Sequence, residues 1–310
     1  MWQAILPLLG AGCGLQTQDS GTPQVTGDLA VYGAFQVELV PASADPGQAA
    51  ILGRLYDGPS PSLVIWEVAD TEGDCELLTP RIPFCDPSCP TGDACVEDDE
   101  CQVYPAALDA GLVTVEGVET TAGTSTFTME PIAGYYQPPA DVDLAYPPFS
   151  EGDVVRFSAS GSEATAPFSM TASGIAPLEG APESLDLPDG ESVETQWTPA
   201  SQPELADILV SINISYHAGT KGMIRCRTPD TGSLVLSGTM LDALKALGIS
   251  GWPVIVYTRV SHGTSTPETP AELFVESSIS RDVTIPGLIS CNTDADCPEG
   301  QTCLGDFQCG

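Results

Sequence analysis

Cysteine is the residue type in this 310-residue chain whose spacing most clearly signals chemistry, and there are eleven of them. Cys89-Pro90-Thr91-Gly92-Asp93-Ala94-Cys95 and Cys297-Pro298-Glu299-Gly300-Gln301-Thr302-Cys303 agree at Cys, Pro, Gly and Cys. Each run meets another cysteine at the same distance downstream, Cys101 and Cys309, and each has one upstream, Cys85 and Cys291. A short cysteine module that appears twice around a cysteine-poor stretch reads as a disulfide framework, which persists in an oxidising, extracellular compartment. With Cys13 set aside, ten cysteines remain, an even number. If each module closes on its own four, Cys75 and Cys226 are left over, and parity predicts a bridge between them. Four cysteines allow three connectivities, among which sequence does not choose. Zinc is a poor alternative: neither module has a Cys-x2-Cys knuckle, and His217 and His262 lie far from both in sequence.

Those two histidines are the only imidazoles. No Gly-x-Ser-x-Gly elbow accompanies either of them. His262 falls in Ser261-His262-Gly263-Thr264, a turn-like stretch after an expected strand, and His217 ends another. Asp230-Thr231-Gly232 matches the triplet of aspartic proteases, but those enzymes need two aspartates sharing a proton. Asp57-Gly58 and Asp189-Gly190 lack the hydroxyl residue between, and Pro229 makes the triplet a β-turn. Asp98, Asp99 and Glu100, and likewise Asp294, Asp296 and Glu299, supply oxygen donors suited to calcium without the spacing of an EF-hand loop. With 43 acidic residues, chance pairs of glycosidase-like carboxylates are inevitable and carry no signal. No phosphate-cradling loop or dinucleotide fingerprint is present. Asn213-Ile214-Ser215 fits a glycosylation acceptor but lies in an expected strand. The expectation is a protein that is not an enzyme and uses no cofactor or metal.

The elements that must position these residues are strands. Val31, Phe35, Val37 and Leu39 alternate with polar residues such as Gln36 and Glu38, the period of a half-buried strand. Leu63-Val64-Ile65-Trp66 reads as a strand buried on both faces. The runs 112–115, 154–157, 168–170, 208–214, 223–224, 254–257 and 273–275 continue the series. Glycine and proline, 31 and 28 residues, punctuate nearly every gap, so the strands are short and the turns many. One helix is expected, with Leu241, Leu244 and Leu247 on one face, Thr239 as its cap and Gly248 closing it. The fold class is mainly β: two antiparallel β-sandwich domains, small disulfide-rich modules and one short helix. The Pro/Gly-rich stretch 174–190 is the boundary. It gives a tether at 1–27, an N-terminal domain at 28–175 with a cysteine-rich insertion near 75–104, a C-terminal domain at 176–287 and a closing module at 288–310.

Charge excludes some partners. The formal net charge is −34, and such a field repels nucleic acid and anionic lipid headgroups. An apolar fraction of 42% is nonetheless too high for a disordered chain.

Three resemblances add expectations. Leu9-Gly10-Ala11-Gly12-Cys13, small residues ahead of a lone cysteine, resembles the lipobox of bacterial lipoprotein signal peptides. That implies Cys13 as a lipid anchor, and Gly14 after it favours the outer membrane; the polar run 16–26 then reads as a tether. The span 191–286 resembles a strand-rich domain of bacterial surface lipoproteins through Trp197-Thr198-Pro199, Ile224-Arg225-Cys226 and Asp230-Thr231-Gly232-Ser233. It implies a sandwich of immunoglobulin-like appearance and no chemistry. The cysteine modules resemble EGF-like repeats, which implies first-to-third and second-to-fourth pairing. Together these suggest a non-enzymatic cell-surface lipoprotein with a structural or protein-interaction role. Its membrane contact would be through Cys13 alone, and its partner a surface protein or glycan. The alternatives are a carbohydrate- or calcium-dependent binding protein and a secreted hydrolase.

Overall fold

A computed structural model describes residues 32–41, 47–163, 165–217, 219, 221–265 and 271–310. The lipid-anchor candidate Cys13 and the tether lie outside the described residues. The chain is mainly β with one α-helix.

Alternation is why the first strand forms. In Gly33–Val40 the side chains of Phe35, Val37 and Leu39 are fully buried while Gln36 and Glu38 are half-exposed. The strand pairs antiparallel with Gln48–Tyr56 and parallel with Glu272–Thr284. From there one sheet continues through Val254–Thr264, Asp207–Asn213, Met223–Pro229 and Cys75–Arg81 to Ile65–Glu72 at its edge. Strands from both sides of the 174–190 stretch therefore share this sheet, including the N-terminal strand Cys75–Arg81, which pairs with Met223–Pro229.

Two apolar cores form on the sheet. In the first, Phe35, Val37, Leu273 and Val275 meet Val113, Val115, Val155, Phe157 and Met170 of a second, four-stranded sheet. Gly263 lies against the four-stranded sheet, where a Cβ would overlap the Thr171 carbonyl. In the second, Ile208, Val210, Ile212, Ile224, Ile255 and Tyr257 pack with Trp197, Leu234, Leu236 and the helix Gly238–Ala246. Leu241 and Leu244 of that helix are fully buried. Nine residues would not hold a helix in water, so this docking is what stabilises it. Its cap is Ser237, not Thr239. Ser237 has an extended backbone (φ −68°, ψ 134°) and accepts from the Met240 N–H, whereas Thr239 already lies inside the helix. Gly248, at φ +108°, closes the end.

Two further local expectations are corrected. The 63–66 run is not buried on both faces. Ile65–Glu72 is an edge strand, Ile65 and Trp66 are half-buried, and Leu63 is 55% exposed, because the sheet ends there. His262 is not in a turn, since Val254–Thr264 continues past it and pairs with Glu272–Thr284 over its whole length.

Candidate interaction surface

The shared Cys-Pro-x-Gly run is a β-turn. Asp93 N–H donates to the Pro90 carbonyl and Gln301 N–H to the Pro298 carbonyl, each at 3.0 Å. Gly92 and Gly300 occupy the left-handed third position, at φ +101° and +89°, where a side chain would be strained. Cys85–Cys95 and Cys89–Cys101 close the first module, and Cys291–Cys303 and Cys297–Cys309 close the second. Both are first-to-third, second-to-fourth. The sulfurs of Cys85, Cys89 and Cys95 lie within 4.8 Å of one another, as do those of Cys291, Cys297 and Cys309. The paired bridges account for that proximity, and zinc would require free thiolates. Cys75, on the sheet strand before the first module, is bonded to Cys226 across 151 residues.

The acidic loops point their carboxylates at the backbone. Asp98 accepts from Phe84 N–H at 3.1 Å and Asp99 from Asp86 N–H at 2.9 Å. In the second module Asp294 accepts from Cys303 N–H at 2.8 Å, and Asp296 from Asn292 and Thr293 N–H, both at 2.9 Å. The Asn292 and Thr293 amides hold the Asp296 carboxyl below the usual aspartate range. A lowered folded-state pKa contributes stability that is present above the unfolded value of about 3.9 and lost as pH falls through the folded one. Hydrogen-exchange protection of Asn292 and Thr293 should therefore fall over the window below about pH 4, and Asp296→Asn should remove most of that dependence. Protection that is flat across the window would contradict the assignment.

The two modules differ in what surrounds them. The second is built into the body of the protein. Cys291 is buried, and the Phe307 ring lies 5.1 Å from Trp252. Trp252 meets His217 at 5.9 Å, and His217 meets Tyr216 at 4.0 Å. Gly251 N–H donates to the Asp306 carbonyl at 2.9 Å, and the Gln308 amide donates to the Ile249 carbonyl. His217 and Phe307 both hold left-handed backbones, φ +65° and +60°, to place these rings.

Two sets of side-chain contacts tie down the first module. Arg81 reaches Glu67 at 2.7 Å, Asp98 at 3.1 Å and also Glu97; the hydrogen-bonded Glu97 and Glu67 keep its guanidinium firmly protonated. The Gln102 amide donates to the Pro59 carbonyl at 2.6 Å. Around these ties, large apolar side chains face water: Phe84 is 71% exposed, Val103 67%, Ile82 66% and Tyr104 50%. Leu63 adds to them, because the ladder pairing Ile65 with Arg81 leaves Leu63 and Ile82 at the same end of their hairpin. Scattered single apolar residues on a surface need no explanation; several on one small module do. Nothing in the sequence marked them beyond their place beside the cysteines.

The catalytic candidates occupy other settings. His262 Nε2 lies 3.0 Å from Glu272 Oε1 and its ring stacks on Phe274. The neighbouring Ser261 hydroxyl donates instead to the Ser173 carbonyl. An open depression at the 160–167 turn is lined by Ser160, Ser162, Glu163 and Thr165 and contains neither histidine. Asn213 is buried, its side-chain oxygen accepting from Ser215 N–H at 2.9 Å. Tyr136 is a core residue whose phenol accepts from Ala110 N–H, and burial pushes its pKa up to about 12. The adjacent Tyr135 hydroxyl accepts from Arg54 at 2.6 Å.

Asp230 of the Asp-Thr-Gly triplet is 1% exposed and paired with Arg259, also 1% exposed, at 2.8 Å. It also accepts from Trp197 Nε1 at 2.7 Å and Ala200 N–H at 3.1 Å. The remaining guanidinium donors go to the carbonyls of Ala176, Pro177 and Thr198. On Glu272–Thr284, Leu273 and Val275 belong to the first core and Ile279 and Val283 to the second. Ser277 lies between them, opposite Arg259 in register. The ion pair is thus a polar seam between two cores on one sheet, clasping the 174–200 segment to it. The sequence signal for it is an arginine at the same alternating parity as Ile255 and Tyr257 on Val254–Thr264.

Fold and surface define a mainly β, disulfide-bonded protein with one cysteine module docked into its body and another presenting apolar side chains to water. Compared with protein-family models and with curated proteins, the chain matches none.

Proposed function

We propose that this chain is a non-enzymatic cell-surface protein whose first cysteine module is a protein-docking knob. In this reading Cys13 carries the lipid that holds it at the outer membrane, as the lipobox resemblance implies. The observation that carries it is the exposure of Ile82, Phe84, Val103 and Tyr104 on one disulfide-closed module. Burying one such side chain in a partner is worth about 1.5–3 kcal/mol. Two disulfides hold the module before contact, so little further ordering cost falls on binding. The aromatic row Tyr216, His217, Trp252 and Phe307 joins the second module to the body, and it supports no separate glycan reading.

The test compares envelope proteins captured by the oxidised chain and by its Ile82→Ser/Phe84→Ser variant. Both side chains are exposed, so the variant keeps its fold and melting temperature. A partner of this module should bind the variant at least about tenfold more weakly, a difference of about 1.4 kcal/mol. Equal binding to both proteins would remove the module from the interaction.

A further inference from the structure

The charge around the exposed module specifies its partner further. Residues 82–104, the module and its flanks, contain six carboxylates and no Lys or Arg, and the cation next to them in sequence is Arg81. Arg81 is already shared among Glu67, Glu97 and Asp98. Ile82, Phe84, Val103 and Tyr104 therefore belong to a segment whose carboxylates far outnumber its cations. An approaching apolar surface with its own carboxylates is repelled there, and one edged with Lys or Arg is steered in.

The second module shows how this type of module makes contact. Its Phe307 ring lies against the aromatic Trp252, its Asp306 carbonyl accepts from Gly251 N–H, and its Gln308 side-chain amide donates to the Ile249 carbonyl. The first module has an aromatic ring at Phe84 and another at Tyr104, and both face water.

Resting on the docking reading above, we infer that the first module binds a polypeptide segment presenting aromatic or aliphatic side chains with Lys or Arg beside them. Apolar contact supplies the affinity, and the acidic segment selects the sign of the partner's charge. A membrane surface is the less favoured occupant, since nothing in the acidic segment attracts anionic headgroups.

The experiment is an array of synthetic peptides, each about 12 residues long, in four compositions: apolar-cationic, apolar-neutral, apolar-anionic and cationic without apolar residues. It is probed with the intact oxidised chain, with Ile82→Ser/Phe84→Ser and with Asp93→Asn/Glu100→Gln. The apolar-cationic class should be retained, and the apolar substitutions should weaken it about tenfold or more. The charge substitutions, and a rise in salt from about 50 to about 500 mM, should weaken it several-fold. Equal, salt-independent retention of the apolar-neutral class would overturn the charge specificity and leave the docking reading standing. Retention that ignores Ile82→Ser/Phe84→Ser in every class would overturn both. Co-sedimentation with phosphatidylcholine vesicles, lost on the same substitutions, would assign the patch to lipid and overturn the inference.

Discussion

Arg259→Met should destabilise the protein by about 3–5 kcal/mol, because it leaves Asp230 buried without its counter-ion. The two side chains are 1% exposed and 2.8 Å apart. The loss is larger than the pair's net contribution. Desolvating both charges offsets most of their attraction, so the measured effect is mainly the cost of the orphan. Removing Asp230 as well should restore only part of the stability. Trp197 Nε1 and Ala200 N–H would still lack an acceptor, and the carbonyls of Ala176, Pro177 and Thr198 would lack a donor. Urea unfolding of the two single variants and the double variant measures this directly. A loss below about 1 kcal/mol for Arg259→Met would mean that water reaches the site and that the seam does not clasp the 174–200 segment.

The second large effect is expected at Cys75–Cys226. Replacing both by alanine should cost up to about 5 kcal/mol if the bridge acts by limiting the unfolded chain. The bonded residues are 151 apart in sequence, whereas the module bridges span 10 to 12. Loop-closure entropy grows with the logarithm of loop length, so the long bridge should exceed a module bridge by about 2 kcal/mol. Its site adds to this: Cys75 and Cys226 are buried in the second core beside Leu77 and Ile224. Denaturant midpoints of the double-alanine variant and of a variant lacking only Cys297–Cys309 make the comparison. If the module bridge proved the more stabilising of the two, the chain-entropy account would fail for this protein.

Much of the fold could be read from local pattern, and the reason differs by element. Phe35, Val37 and Leu39 alternate because one face of their strand is buried, and a period of two shows in any sequence. The leucines of the short helix recur for the corresponding reason, although its cap lay two residues earlier than composition suggested. The 63–66 run misled because an apolar run does not say whether a second layer will cover it. Ile65–Glu72 ends the sheet, and its outer side has no neighbouring strand among the described residues. Asp230 and Arg259 were unreadable as a pair for a related cause. They are 29 residues apart, Asp230 in the turn after Met223–Pro229 and Arg259 on the strand Val254–Thr264, and only the tertiary fold brings them together.

The cysteine modules divide along the same line. Repetition, parity and the Pro-x-Gly turn are properties of composition and spacing, so the sequence alone determined that the chain carries two like disulfide units and a leftover pair. It also determined the acidic field and the mainly β character. Tertiary structure decided the rest. Cross-strand register set Cys75 opposite Cys226. Packing against Trp252 made the second module part of the body. The edge of the sheet left Ile82 and Phe84 of the first in water. Like cysteine modules thus became part of the body in one place and a candidate docking knob in the other. Burial depends on what lies across the gap, and spacing along the chain does not contain that information.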